Sequence, residues 1–117
     1  MRERRQAPRI AVREGAVAFL GDVPGTILDI SEKGISVRFM VFEQEPEPKC
    51  ALDLFFAEEN FYLAGLEAEL VSDLPAYDSV DQKKNRARRL GLRFCDLTPA
   101  QYKALCSVIY RNQMAEV

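Results

Sequence analysis

The 117-residue chain contains no histidine. That absence excludes Ser-His-Asp and Cys-His catalytic triads, and it leaves zinc only cysteine and carboxylate ligands. Cysteine is scarce as well: Cys50, Cys95 and Cys106 are odd in number, far apart and form no Cys-x-x-Cys pair. A disulfide framework or thiolate metal site is therefore not expected, and small buried thiols in a reducing compartment fit better. No apolar run approaches the roughly 18 residues of a membrane span. The opening Met1-Arg-Glu-Arg-Arg5 lacks the apolar stretch of a secretory signal. There is no Gly-x-Gly-x-x-Gly or P-loop fingerprint. These absences lead us to expect a cytoplasmic protein with no catalytic residues, no metal and no cofactor.

What is present is an ordinary globular composition, 48% hydrophobic and 29% charged, in a length that suits one domain. The net charge of −2 conceals a segregation. Residues 1–13 carry five arginines against Glu3, and residues 83–93 carry six basic side chains and no acid. Residues 14–82 hold fifteen acids against three bases. Two basic segments on an acidic body point to a localised anion site more than to a general nucleic-acid surface. The same segments would also serve simply to neutralise acidic neighbours.

Residues 1–9 read as a flexible arm, with Pro8 limiting helix there. From Ile10 the chain alternates with the period of half-buried strands: Ile10, Val12, then Val17 and Phe19 after a break at Gly15. Pro24-Gly25 reads as a tight turn, Thr26–Ile30 and Ile35–Phe39 as the next strands. Gly34 closes the connection between them, with the positive φ expected of a hairpin glycine. Residues 43–49 form an acidic, proline-broken loop. Ala51–Phe56 and Phe61–Val71 are strand-like, residues 73–86 a long polar loop, and Arg89–Leu97 a last strand. Thr98-Pro99-Ala100-Gln101 then combines an N-cap threonine, proline at the first helical position and glutamine three after the cap. Apolar residues at Tyr102, Leu105, Cys106 and Ile109 continue a helical face to about Asn112. The expected fold is mainly β: a six-stranded antiparallel β-barrel over residues 10–97, with a C-terminal α-helix over 98–114 packed against it. Phe39, Phe55, Phe56, Phe61 and Phe94 are expected in its core. Glu58-Glu59 reads as a solvated turn.

Two motifs carry the chemistry. Arg4-Arg5-Gln6-Ala7-Pro8-Arg9 places Arg5 and Arg9 in an Arg-x-x-x-Arg spacing on the arm. Asp29-Ile30-Ser31-Glu32-Lys33-Gly34 is an Asp-x-Ser-x-x-Gly turn between two strands. Together with the ending Leu90-Gly-Leu-Arg-Phe94 before a capped helix, this arrangement resembles a PilZ domain, the family of bacterial cyclic di-GMP receptors. The resemblance covers essentially the whole chain. It implies a non-catalytic receptor that holds the dinucleotide between arm and turn and acts on a downstream protein partner by changing an exposed surface.

The residue types suit such a ligand. Guanidinium groups fork onto phosphate oxygens or onto guanine O6 and N7. Asp29 is an acceptor for the N1–H and N2–H donors of guanine, Ser31 can donate or accept, and Gly34 allows close approach. The resemblance thus assigns ligand binding to Arg5, Arg9, Asp29, Ser31 and Gly34. It adds Arg4, where a basic residue goes with binding an intercalated dimer of the dinucleotide. Gly91, Arg93 and the 86–89 basic run either line the same pocket or are surface features. Two other readings remain open at this point: a PilZ-like adaptor working through protein contacts alone, and a small barrel binding single-stranded nucleic acid through its basic segments.

Overall fold

The computed structural model describes residues 10–11, 15–40, 45–75 and 87–115. Seven strands precede one helix: β1 (Ile10–Ala11), β2 (Ala16–Leu20), β3 (Val23–Ile30), β4 (Gly34–Phe39), β5 (Lys49–Phe56), β6 (Phe61–Pro75), β7 (Arg88–Phe94) and α1 (Pro99–Ala115). All pairings are antiparallel. Strands β3-β2-β5-β6-β7-β4 form a ring that the β3–β4 pairing closes, so six strands make the barrel and β1 is an addition along β3. Closure leaves none of the six with a fully open edge, which answers the aggregation hazard of a small sheet.

Alternation fills the interior. Ile35, Val37 and Phe39 of β4, Leu52, Leu54 and Phe56 of β5, and Leu90 and Leu92 of β7 are all nearly or fully buried. Helix α1 closes the core with Leu105 and Val108, both at 0% exposure. Each such side chain contributes about 1.5–3 kcal/mol by leaving water. Of the five phenylalanines expected there, Phe39, Phe56 and Phe94 are buried, while Phe55 and Phe61 are half-buried. The three cysteines are free and half-buried, with Cys50 packed against the core.

The helix begins as the sequence predicts. The Thr98 hydroxyl accepts from Gln101 N at 3.1 Å, and the Gln101 side chain accepts from Thr98 N at 3.0 Å. This reciprocal box satisfies two donors that a helix start would otherwise leave bare. Gln101 does more: its amide donates to the carbonyls of Ala64 and Gly65 at 3.3 and 3.1 Å, fastening α1 to β6.

Four local expectations are corrected. Pro24-Gly25 lies inside β3, and the turn sits at Gly21-Asp22, where Gly21 has φ +64° and Leu20 pairs with Val23. Pro24 is tolerated because β4 pairs with β3 only from Thr26 onward, so one side of the strand has no ladder to complete there. Residues 73–75, expected in a loop, extend β6 because they pair with residues 88–90 of β7. The last strand ends at Phe94 rather than Leu97, since Asp96 turns the chain with φ +54°. Gly34 does not have positive φ; its requirement for glycine has another cause, given below. The rest of the expected 73–86 loop lies outside the described residues.

Candidate functional site on the outer wall of β3, β4 and β7

The connection from β3 to β4 is built around Ser31, which is 2% exposed. Its hydroxyl accepts from the backbone N–H of Lys33 at 3.0 Å and of Gly34 at 3.2 Å. Its own N–H donates to the Gly34 carbonyl at 2.8 Å. The turn is tied outward as well: Phe94 N donates to the Lys33 carbonyl at 2.9 Å, and the Tyr102 hydroxyl of α1 donates to Glu32. That bond to the carboxylate is the main reason the Tyr102 phenol is held well above its ordinary pKa. Gly34 sits opposite Arg93 of β7, and a Cβ there would lie 2.5 Å from the Leu92 carbonyl oxygen. Close backbone approach to β7, not a left-handed conformation, is what demands glycine.

Asp29 lies two residues before Ser31, half-buried, and pairs across β3–β4 with Ser36. Between Ile27 and Asp29 the register shifts, so Leu28 is an extra residue. Such a bulge re-aims the side chains that follow it. On the far side of β3, Ala11 of β1 pairs with Asp29 and Ile10 with Ile30. Arg4, Arg5 and Arg9 themselves lie outside the described residues. The residue that follows Arg9 is nevertheless laddered to the residue that precedes Ser31.

The outward row of β4 and β7 continues the site. Ser36 pairs with Gly91, which in turn pairs with Ser72 of β6. A Cβ at Gly91 would fall 2.5 Å from the Ser72 hydroxyl, so position 91 forms a floor without a side chain of its own. Ser36 is buried at 6% exposure although it faces away from the core, and its hydroxyl accepts from Arg89 Nε at 3.1 Å. Two residue pairs further along, Arg38 stands directly opposite Arg89.

The three arginines of β7 differ in their partners. Arg88 makes a bidentate pair with Asp73, at 2.9 Å from Nε and 2.7 Å from Nη2. Arg93 is paired with Glu69, which holds the Glu69 carboxyl below its usual range and the Arg93 guanidinium above its own. Arg89 has the neutral Ser36 hydroxyl instead. The structure therefore places Asp29, Ser31 and Gly34 at one turn, with Gly91 and Arg93 on the neighbouring strand. Ser36 and Arg38 were not singled out from sequence. Their signal was the period-two series Gly34, Ser36, Arg38 on β4 facing Arg93, Gly91, Arg89 on β7.

Among the described residues, one group of metal-ligating type converges: the ligand atoms of Glu67, Cys95 and Asp96 lie within 4.8 Å of one another. Partial burial and then the carboxylates of Asp96 and Glu69 push the Cys95 thiol up. No helix among the described residues is long and apolar enough to cross a membrane.

Comparison with known proteins agrees with this fold. The PilZ domain family model matches residues 3–111, and the chain belongs to that family. The PilZ domain of YcgR from Escherichia coli, solved with c-di-GMP, superposes with a TM-score of 0.74 at 18% identity, covering 97% of this chain and 95% of that one. An uncharacterized Legionella protein superposes with a TM-score of 0.62 at 20% identity, covering 92% and 96% of the two chains. Longer YcgR from Escherichia coli in complex with c-di-GMP gives 0.73 at 15% identity, with 97% of this chain matching 48% of that one. No curated protein sequence matches the chain significantly.

Proposed function

We propose that this PilZ chain is a non-catalytic receptor for cyclic di-GMP, held between the Arg5/Arg9 arm and the Asp29–Gly34 turn. The observation that carries the reading is the β1–β3 ladder, Ile10 to Ile30 and Ala11 to Asp29, which pairs the residue that follows Arg9 with the end of the strand that leads into the turn. The two YcgR structures with c-di-GMP support it at the level of the fold.

Asp29 then accepts from the N1–H and N2–H of a guanine, while Arg5 and Arg9 supply forked donors to phosphate and to guanine O6 and N7. Arg4 serves a second stacked dinucleotide. Ser31 acts first through the backbone, since its hydroxyl already holds two N–H groups of the turn. Gly91 and Arg93 flank the site on β7, although Glu69 already engages the Arg93 head. Ordering of the arm over the ligand changes the surface offered to a protein partner, and a cytoplasmic location suits a soluble second messenger.

Titration calorimetry with cyclic di-GMP and cyclic di-AMP tests the reading on wild type, Arg9→Ala and Asp29→Ala. The expected result is micromolar or tighter binding of cyclic di-GMP, lost in both variants, with rejection of cyclic di-AMP because Asp29 would face an acceptor at adenine N1. The fitted stoichiometry reports on Arg4. Absence of heat with folded wild-type protein would refute the receptor reading and leave an adaptor that works by protein contacts.

A further inference from the structure

We infer that Arg38 and Arg89 form an anion subsite on the outer barrel wall, beside Asp29, that takes a phosphodiester of the bound dinucleotide. The inference rests on the receptor reading and extends it to residues outside both sequence motifs.

The first observation is the register. Arg38 of β4 and Arg89 of β7 are directly opposed in the antiparallel pair. Like charges placed opposite one another on a sheet face destabilise it. Neither guanidinium has a carboxylate in ion-pair range among the described residues, whereas their neighbours Arg88 and Arg93 are matched to Asp73 and Glu69. The same wall thus neutralises two arginines with acids and leaves two facing each other. An arriving anion removes the repulsion and gains two forked donors at once.

A second observation fixes the geometry. Arg89 is not a loose surface side chain, because its Nε donates to the hydroxyl of Ser36, a residue only 6% exposed. That bond orients the planar head and leaves its Nη groups for an incoming acceptor. Ser36 is the cross-strand partner of Asp29. Arg38 and Arg89 follow two residues further along β4 and back along β7, about 7 Å from that row at the usual strand rise. A base read by Asp29 and an anion held by the arginine pair then fall within one small ligand. The side-chain-free floor at Gly91 lies between Arg89 and Arg93 and leaves room for it.

Calorimetry with cyclic di-GMP on wild type, Arg38→Ala, Arg89→Ala and the double variant tests the assignment, together with melting curves of each protein without ligand. Each single substitution is expected to weaken binding about ten-fold or more, the loss typical of a charge-assisted hydrogen bond. The double variant is expected to show a shallower fall of affinity with salt than wild type. The ligand-free melting temperature of Arg38→Ala should stay level or rise, because a repulsion is removed and the Arg89–Ser36 bond is kept. Unchanged affinity in both single variants, with wild type binding, would overturn the subsite while leaving the receptor reading intact. So would an affinity loss matched by a lowered ligand-free melting temperature, which would make Arg89 a structural partner of Ser36. A single-stranded oligonucleotide bound as tightly as cyclic di-GMP, and lost in the same variants, would reassign the pair to a nucleic-acid backbone. No binding to wild type at all would remove the receptor reading and this inference with it.

Discussion

The barrel has two walls that treat polar side chains differently. On the wall where β5 meets β6, Asp53 and Gln101 are saturated by their neighbours. Asp53 accepts from Gly65 N at 2.8 Å and from the Tyr62 hydroxyl at 3.1 Å, which pins the irregular segment around Gly65 with its φ of +69°. Gln101 caps the helix and clamps the same segment from above. On the wall of β3, β4 and β7, Ser31 is saturated in the same manner, yet Arg38 and Arg89 stand opposed without an acid among the described residues. On the proposed receptor reading, the contrast separates polar groups that hold the fold together from a pair that serves an incoming anion. Burial and partner count distinguish them where residue type alone cannot.

The sharpest way to test this contrast is at Gly34. Replacing it with alanine places a Cβ 2.5 Å from the Leu92 carbonyl oxygen, and the strands must separate. The expected loss is about 1–3 kcal/mol of stability, as for other overpacked sites, with loss of dinucleotide binding as well. Denaturant unfolding and calorimetry read the two effects. Ser31→Ala comes next: two backbone N–H groups lose their acceptor, one of them buried. We expect about 1–3 kcal/mol of destabilisation and weakened binding, both from a turn that no longer holds its shape. On the opposite wall, Asp53→Ala is expected to cost about 1–2 kcal/mol for its two hydrogen bonds. Affinity for cyclic di-GMP should remain as in wild type, and a large loss there would erase the distinction between the walls.

The smallest effect is a pH dependence at Tyr62. Its bond to Asp53 raises the phenol above its ordinary value, so the contribution is complete below about pH 10 and is lost as pH rises through the raised folded value. Urea unfolding of wild type and Tyr62→Phe should therefore differ by a constant amount up to that point and converge above it.

Much of this was legible in sequence where the cause is local. The capping box at Thr98–Gln101 and the Asp29–Gly34 turn depend on residues within a few positions, and their spacing announces them. Alternation set the inward faces of β4, β5 and β7 for the same reason. Legibility failed where a distant strand decides. Gly34 reads as a hairpin glycine until the Leu92 carbonyl is placed beside it. Pro24-Gly25 reads as a turn because nothing local shows that β4 pairs only from Thr26. The β7 arginines look alike in the chain; only the register on β6 gives Arg93 to Glu69 and leaves Arg89 to Ser36.

The most direct test of the two-wall account is residue-resolved. Amide resonances of isotope-labelled protein would be followed during titration with cyclic di-GMP. The account predicts shifts concentrated at Asp29–Gly34, Ser36, Arg38, Arg89 and Gly91, with Asp53, Tyr62 and Gly65 unmoved. Shifts centred on the β5–β6 wall, or none at saturating ligand, would contradict it.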